Sequence, residues 1–253
     1  MKLPLVTTLC VCANLALAQD VLVLGEVHDN LHHHRTQAER VQAMQPQAIV
    51  FEMLTEEQAA LYNRELQGDS EALELVFGWD NSGWPEFDMY YPIFAAAGDA
   101  QIYGAAVPRD QARQAMEQGI ETVFPEAEKF GLIDRLPEEE QERREALQHA
   151  AHCDALPAEM LPVMVEIQRL RDASLARSVL HAFEQTGGPV AVITGNGHAR
   201  KDWGASALLA EMAPELHLHV LGQTEDDARL DGGFDEVISA PAIEREDPCA
   251  TFE

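Results

Sequence analysis

The chain is long enough for one large domain, and its charge excludes nucleic acid as a natural partner. It has 253 residues, of which 44 are acidic and 17 are basic, and its formal net charge is −27. Such a field repels a phosphate backbone, while a hydrophobic fraction of 46% excludes wholesale disorder.

Residues 1–18 have the pattern of a secretory signal peptide. A basic residue precedes a largely apolar stretch, and Ala16-Leu17-Ala18 matches the small-x-small pattern of a cleavage site. The stretch is too short for a stable membrane anchor, and Cys10 and Cys12 follow large residues where lipid attachment requires a small one. We therefore expect export as a soluble protein rather than a lipid-anchored one.

Cleavage would leave two cysteines in the mature chain, Cys153 and Cys249. In an oxidising compartment an isolated pair commonly closes as a disulfide, which would tie the carboxyl-terminal tail to the helical region near His152. The alternative is a pair of separate thiols.

Six short apolar runs predict the strands of a sheet, with helical stretches between them. The first two flank a polar stretch of helical character from Arg35 to Met44, a pattern typical of a βαβ unit in a parallel sheet covered on both faces. Pro46 breaks this helix before the second strand. The six runs are Val21–Leu24, Ala48–Phe51, Ile102–Ala105, Val190–Thr194, Leu216–Leu221 and Glu236–Ser239.

Between Arg109 and Thr186 the sequence offers no good strand candidate, and Glu, Gln, Arg, Ala and Leu dominate. We interpret about residues 110–186 as a bundle of helices inserted between the third and fourth strands. Its charged run from Pro137 to Arg144 is typical of a solvated helix start. The predicted fold is one α/β domain over residues 19–253, with a mostly parallel central sheet flanked by helices and an all-helical insertion subdomain.

The first and fourth predicted strands each lead into a Gly-x-x-His motif, Gly25–His28 and Gly195–His198. In open α/β sheets, ligands bind at the carboxyl ends of the strands. If these two strands are neighbours, four side chains converge on one crevice: Glu26, His28, Asn196 and His198.

Charged residues end other strands as well. Glu52 follows the second strand, and because an unpaired buried carboxylate is costly, it either has a partner or simply caps a helix. Arg200, behind the second motif, can pair with Glu26, with Glu52 or with a ligand carboxylate. Arg109 follows the third strand. A plain surface role is the alternative for either arginine.

Two polar segments have both a functional and a structural interpretation. The adjacent histidines 32–34 point in different directions on a helix, so only one or two can serve a single ligand, and an exposed histidine cluster is the simpler interpretation. The other segment is a polar stripe on one face of a predicted helix, which either covers the crevice or forms ion pairs within the helix. By three-and-four spacing its members are Gln168, Arg171, Asp172 and Leu175.

Together these motifs resemble the ChaN-like haem-binding family of bacterial exported proteins, within the Tiki and erythromycin-esterase-like superfamily. The order and spacing of the pieces match along nearly the whole mature chain, although each piece alone is weak. The pieces are Leu24–Asp29, Phe51–Met53, Trp84–Phe87, Tyr91-Pro92, Pro108-Arg109, Gln168–Asp172 and Gly195–Arg200.

The resemblance implies a parallel α/β core with a helical subdomain, and a haem bound at or near the crevice. It also implies a homodimer with two haems face to face, an outer-membrane haem receptor as a partner, and a periplasmic location. Many relatives are lipoproteins, whereas this sequence lacks a convincing lipid-attachment cysteine.

The favoured function is an exported haem carrier or store that serves iron acquisition. Haem binding requires an axial ligand, an apolar slot for the macrocycle and cations for the propionates. Trp79, Trp84, Phe87 and Tyr90 either wall such a slot or belong to ordinary loop packing. The candidate haem-binding residues are His28, Tyr90, Tyr91, Arg109, Asn196, His198 and Arg200.

The alternative function is a hydrolase, so the sequence leaves open whether the protein is an enzyme. Glu26, His28, Glu52 and His198 would hold a divalent metal that activates a bound water, or one histidine would be a general base oriented by the carboxylates. No serine or cysteine lies in a recognisable nucleophile elbow, which disfavours covalent catalysis. We expect a bound haem to lie beside this cluster rather than in it.

Overall fold

A computed structural model describes residues 19–246 and 249–250 and is built around one six-stranded sheet. Every strand is parallel to its neighbours, in the order β3-β2-β4-β1-β5-β6, which confirms the predicted α/β fold with a parallel central sheet. The predicted signal peptide, with Cys10 and Cys12, lies outside the described residues. The strands are β1 (Val21–Glu26), β2 (Ala48–Phe51), β3 (Gln101–Gly104), β4 (Val190–Gly195), β5 (Leu218–Glu225) and β6 (Glu236–Ala240).

Ten α-helices surround the sheet in the described part of the chain. None of them is long and apolar enough to cross a membrane. They are α1 (Leu31–Met44), α2 (Glu56–Ala59), α3 (Ser70–Phe77), α4 (Phe87–Ala96), α5 (Arg109–Gln118), α6 (Ile120–Val123), α7 (Glu138–Ala151), α8 (Leu161–Thr186), α9 (Asn196–Ala199) and α10 (Ala205–Met212), with 3₁₀ turns at Arg64–Leu66, Trp79–Asn81 and Ala158–Met160.

Each face of the sheet has its own apolar core, because alternate strand residues point to opposite sides. On one face, Leu24 and Ile193 pack beneath α1 and α4. On the other face, Val23 and Val192 pack beneath α8 and α10. The central strands are therefore buried on both sides and appear in the sequence as continuous apolar runs.

The predicted helical insertion corresponds to α5–α8, which lie between β3 and β4. Its last helix, α8, is also part of the layer that covers the sheet. The hydroxyls of Ser174 and Ser178 donate to the carbonyls of Ala105 (2.8 Å) and Gly104 (3.0 Å) at the end of β3. The expectation that the start of α7 is solvated is wrong at Arg144, which is only 5% exposed.

β5 and α1 both extend beyond their predicted segments, and sequence hydropathy does not reveal why. β5 continues to Glu225 because the buried Gln223 side chain donates to the Gly25 carbonyl (2.7 Å), which replaces the water that a polar residue would otherwise need. α1 begins at Leu31 rather than at Arg35, because the Asn30 side chain caps it by accepting from the backbone N–H of His32 (2.9 Å).

The predicted disulfide is confirmed. Cys153, just beyond α7, is bonded to Cys249, with a Cα–Cα distance of 5.3 Å and a sequence separation of 96. The bridge ties the carboxyl-terminal tail to the helical insertion.

Gly104 is the tightest backbone approach at the edge of the sheet. A Cβ here would overlap the carbonyl oxygens of Leu54 and Thr55, which cannot move as a flexible side chain can. We expect Gly104→Ala to lower the free energy of unfolding by about 3 kcal/mol, measured by urea denaturation of the disulfide-intact protein. A Cβ added at Gly68 would have no neighbouring atom within 4 Å, so Gly68→Ala should change the free energy of unfolding by less than about 0.5 kcal/mol. Equal effects of the two substitutions would contradict this packing.

Candidate functional site

The ends of three adjacent strands bring the predicted site residues together. β1 and β4 are neighbours, with Glu26 level with Gly195, so the two Gly-x-x-His motifs lie side by side. β2 lies on the other side of β4, and the backbone N–H of Glu52 donates to the Ile193 carbonyl (3.0 Å). The carboxyl edge of the sheet therefore carries Glu26, His28, Glu52 and His198.

Glu26 is fully buried and is surrounded by hydrogen-bond donors. Its Oε1 accepts from the Tyr90 hydroxyl (2.9 Å) and from His28 Nδ1 (2.8 Å), and its Oε2 lies 3.4 Å from His34 Nε2. Burial disfavours the ionised carboxylate, but the interactions with His28 and His34 outweigh it and lower the pKa of Glu26 to about 2. Glu26 is thus a fixed negative charge at the base of the site.

His28 is the open histidine of the site. Its side chain is 35% exposed, its Nδ1 is held by Glu26, and its ring lies 4.8 Å from the ring of the partly exposed Trp84. Its Nε2 faces Gly195, where a Cβ would collide with the ring. Burial lowers the pKa of His28, but the carboxylates of Glu26 and Glu52 outweigh burial, and the net shift is upward.

His198 is the closed histidine of the site. Its Nδ1 donates to Asp172 (2.7 Å), its Nε2 lies 3.6 Å from Glu52 Oε1, and its side chain is only 12% exposed. Burial lowers the pKa of His198, but the two carboxylates outweigh it and raise this pKa to about 9. His198 is therefore protonated at neutral pH, which suits a hydrogen-bond donor and not a general base.

Glu52 joins the closed histidine to the backbone of β4. Its Oε2 accepts from the Thr194 hydroxyl (2.6 Å) and from the Gly195 N–H (2.8 Å). Burial raises the pKa of Glu52, but His198, His28 and these hydrogen bonds lower it below its usual value. The predicted need for a partner is thus met, and Glu52 does not serve as a simple helix cap.

The structure adds Asp172 and His34 to the site. Asp172, on α8, meets His198, so the roof interpretation of the polar stripe holds there, while Arg171 is exposed and Leu175 is buried. The expected exposed histidine cluster is wrong, since His33 and His34 are fully buried. His34 faces Glu26, and His33 accepts the N–H of Val27 (2.9 Å), so the three adjacent histidines do diverge.

Two predicted haem-binding residues have structural partners. Asn196 exchanges hydrogen bonds with the backbone of Gln223, at 2.7 and 3.0 Å, and so joins the second motif to β5. Arg200 pairs with Asp202 and lies 3.7 Å over the ring of Trp203, so its expected pairing with Glu26 or Glu52 is wrong.

The remaining candidates lie along the aromatic loop and α4. Tyr90 is fully buried, whereas Tyr91 is partly exposed and packs against Phe87. Arg109 is exposed and donates to the Ser82 carbonyl (2.6 Å), beside Trp84. Trp79 and Phe87 are buried in the apolar core beneath α1 and α4, which agrees with the alternative of ordinary loop packing rather than a wall of the haem slot.

Within the described residues, no group of three or more His, Cys, Asp or Glu side chains is arranged to hold a metal ion. The four residues named for a divalent metal are instead divided into two pairs, Glu26 with His28 and Glu52 with His198.

The sequence comparison decides the family. A family model described as haem-binding uptake, Tiki superfamily, ChaN matches residues 12–209, which is well over half of the chain. The protein belongs to this ChaN family. The match ends before β5, so β5, β6 and the disulfide-bonded tail of this ChaN-family chain lie beyond it. No curated protein sequence matches the chain.

One of the similar solved structures supports the fold. A ChaN of Campylobacter jejuni, described with cofacial haem binding, is 19% identical, with 84% of each chain covered and a TM-score of 0.64. An erythromycin esterase is 15% identical, with 82% of this chain and 70% of that chain covered and a TM-score of 0.47. The type III effector HopBA1 is 13% identical over 88% of each chain, with a TM-score of 0.46. The last two are too distant to carry an argument.

Because Glu26 is buried and ionised, the free energy of unfolding should fall as the pH becomes acidic. Because its pKa is lowered from 4.5 to about 2, its stabilisation is complete above pH 4.5 and is lost as the pH falls through about 2. We expect the difference in free energy of unfolding between wild type and Glu26→Gln to narrow over this range by on the order of 3 kcal/mol. Urea denaturation across the range measures it, with the exposed Glu57→Gln as control. A constant difference would show that Glu26 is not held ionised.

Proposed function

We propose that the protein is an exported haem-binding protein that serves haem and iron acquisition or storage, with His28 as the axial ligand. The observation that carries this proposal is the His28 ring itself, which is partly exposed and held through one nitrogen by Glu26, in a chain of the ChaN family. Glu26 holds Nδ1 at 2.8 Å, so Nε2, which lies beside Gly195, is the ring nitrogen left without a hydrogen-bond partner among the described residues, on a partly exposed ring. A carboxylate on the second nitrogen is the usual support of a metal-ligating imidazole.

The other candidate ligands are less available. Both ring nitrogens of His198 face carboxylates, and its side chain is 12% exposed. Tyr90 is fully buried, and its hydroxyl donates to Glu26. Tyr91 is partly exposed and stays the second candidate.

The surroundings of His28 fit the rest of a haem. Trp84 lies against the His28 ring and supplies an apolar surface for the macrocycle. Arg109, exposed beside the same loop, supplies a cation for one propionate. Arg171, which is exposed and close enough to His198 to act on its pKa, supplies a second cation.

The open position of His28 favours a dimer. A haem held by His28 at the sheet edge would leave an apolar face for a second copy of the chain, with its own haem, to cover. Cofacial haem in the ChaN of Campylobacter jejuni supports this arrangement. The proposal also includes a periplasmic location, from the leader-like residues 1–18, and an outer-membrane haem receptor as the source of cargo.

Haemin titration of the purified mature protein tests the ligand. We expect a saturable Soret shift in wild type, with affinity at least about tenfold weaker in His28→Ala, because the iron loses its axial nitrogen. His181→Ala is the matched control, since His181 is an exposed histidine on α8 whose ring meets the ring of Tyr103 edge to face. Equal affinity in wild type and His28→Ala would reject His28 as ligand. A wild type without a Soret shift would reject haem binding itself.

Haem affinity should also depend on pH in a defined direction. Iron competes with a proton for His28 Nε2, and because Glu26 and Glu52 raise the pKa of His28, haem affinity should increase as the pH rises through this raised pKa. Glu26→Gln removes one of the two charges and should move the midpoint to lower pH. Haemin titrations over a pH series measure the midpoint, with the exposed Glu57→Gln as control. An unmoved midpoint in Glu26→Gln would show that another group controls binding.

A further inference from the structure

The carboxyl-terminal tail contacts the haem site but has no role in the function proposed above. After β6 the chain runs through residues 241–246 without a helix or a strand, and Cys249 then closes the disulfide with Cys153. Residues 241–246 together with Cys249 form a strap that is bonded to the insertion at one end. The strap also contacts the residues that directly follow His28.

Arg245, in the strap, holds two carboxylates from different parts of the chain. Its Nε and Nη2 donate to the two oxygens of Asp29, both at 2.9 Å. Its Nη1 and Nη2 donate to the two oxygens of Glu225, at 2.8 and 2.7 Å. Because Nη2 serves both, the two carboxylates lie against one guanidinium. Without this cation, Asp29 and Glu225 would be like charges at close range, and their repulsion would push the Asp29 segment away from the end of β5.

Asn30 extends this contact to the start of α1. The residue is fully buried, its Nδ2 donates to Glu225 (2.6 Å) and to the Pro241 carbonyl (3.0 Å), and its Oδ1 caps the helix. Its own N–H donates to the Val27 carbonyl (3.0 Å), which closes the turn around His28. The strap therefore holds this turn through one side chain and through one backbone carbonyl.

The disulfide keeps the strap in place. Ordering a residue costs more free energy than one partly exposed ion pair returns, and the side chains of Arg245 and Asp29 are 32% and 40% exposed. Charge also opposes docking, since residues 241–253 contain four acidic residues and one basic residue in a chain of net charge −27. Arg245 lies four residues before Cys249, so the closed bridge keeps it within about 14 Å of that cysteine.

We propose that the strap is a redox-controlled latch on the haem site, with Arg245 as its positioning residue. Both cysteines are partly exposed, so a dithiol reductant can reach the S–S bond between Cys153 and Cys249. The bond breaks, two electrons and two protons pass from the reductant to the two sulfurs, and the reductant forms its own disulfide. Arg245 then leaves its two carboxylates. The inference rests on the proposed role of His28, because a loosened turn must be ordered again when the ring binds iron, and haem affinity therefore falls.

Matched variants separate the bridge from the cation. Cys153→Ser combined with Cys249→Ser removes the disulfide, whereas Arg245→Gln removes the cation and keeps the disulfide. Arg229→Gln is the control, since Arg229 is 86% exposed and pairs with Asp231 before β6. The glutamine variant keeps the proposal testable if the double serine variant does not fold.

Amide exchange of the haem-free mature protein, followed by NMR, tests the strap itself. We expect the Asn30 amide to exchange at least about tenfold faster in the double serine variant and in Arg245→Gln than in wild type or in Arg229→Gln. In Arg245→Gln the amides of β2, three strands away from β5, should keep their rates. Unchanged rates in β2 distinguish local release of the turn from global destabilisation.

Haemin titration, followed by the Soret band, measures the consequence for the site. We expect affinity about fivefold weaker in the double serine variant and in Arg245→Gln, with partial recovery in Arg245→Lys, which keeps the charge and loses the fork. The serine and glutamine substitutions combined should bind no more weakly than either alone, because both act through the same contact. Wild type treated with a water-soluble phosphine, which cleaves the disulfide, should match the double serine variant.

Unchanged exchange of the Asn30 amide in Arg245→Gln would overturn the proposal, as would equal haemin affinity with and without the disulfide. Additive losses in the combined variant would also overturn it, since they would show that the disulfide and Arg245 act independently. A wild type without a Soret shift would reject the proposed function instead. The exchange rates are measured without haem and would then still decide whether the strap holds the turn, so the two failures are distinguishable.

Discussion

The arrangement of the site depends on two carboxylates that end buried strands. Glu26 and Glu52 lie where three parallel strands meet, almost out of contact with water, and an unpaired charge in such a place would cost several kcal/mol. Hydrogen-bond donors stabilise each of them: His28 and Tyr90 for Glu26, and Thr194 and the Gly195 N–H for Glu52. A second histidine lies at ion-pair distance from each carboxylate, His34 at 3.4 Å from Glu26 and His198 at 3.6 Å from Glu52. The donors are thereby fixed in position, so the two histidines gain defined orientations as a consequence of the buried charges.

The two Gly-x-x-His motifs, alike in sequence, have different environments. His28 has a carboxylate on one nitrogen and an aromatic ring beside it at the open edge, whereas His198 lies between Glu52 and Asp172 beneath α8. The difference arises from the element that follows each motif. A loop leads from His28 toward α1, but His198 belongs to the short helix α9, which α8 covers. An open imidazole suits a ligand, and a closed imidazolium suits a fixed positive charge.

Much of the fold could be predicted because its signals are local. Parallel strands buried on both faces appear as apolar runs, and β2 was predicted to the residue. The meeting of Glu26, His28, Glu52 and His198 followed from strand ends at one sheet edge. Which residue of a distant element meets a given side chain is harder to predict. The sequence marks Asp172 only as one member of a polar stripe with two possible roles, and Asp172 faces His198 because α8 crosses above β4.

The errors at Arg200 and at the histidines 32–34 have different causes. The prediction for Arg200 assigned it to the strand-end glutamates or to a ligand carboxylate and overlooked an acidic residue nearby, and the histidines were assigned to solvent. In the fold, Arg200 finds Asp202 two residues away and the ring of Trp203, which satisfy it without the strand-end glutamates. His34 is buried because α1 packs on α4, where the ring lies 4.1 Å from that of Tyr90. Local hydropathy contains no information on such packing.

Residues that lie after the end of the family match, in β5 and in the tail, hold the segment that follows His28. Arg245, in the tail after β6, pairs with both oxygens of Asp29 and also with Glu225 at the end of β5. Asn30 donates to the same Glu225 (2.6 Å) and to the Pro241 carbonyl (3.0 Å). The residues after His28 are therefore fixed by β5 and the tail, while Glu26 fixes the ring itself. Since the disulfide anchors that tail to the insertion, the His28 segment is held between two distant regions of the chain, and its geometry does not depend on the sheet alone.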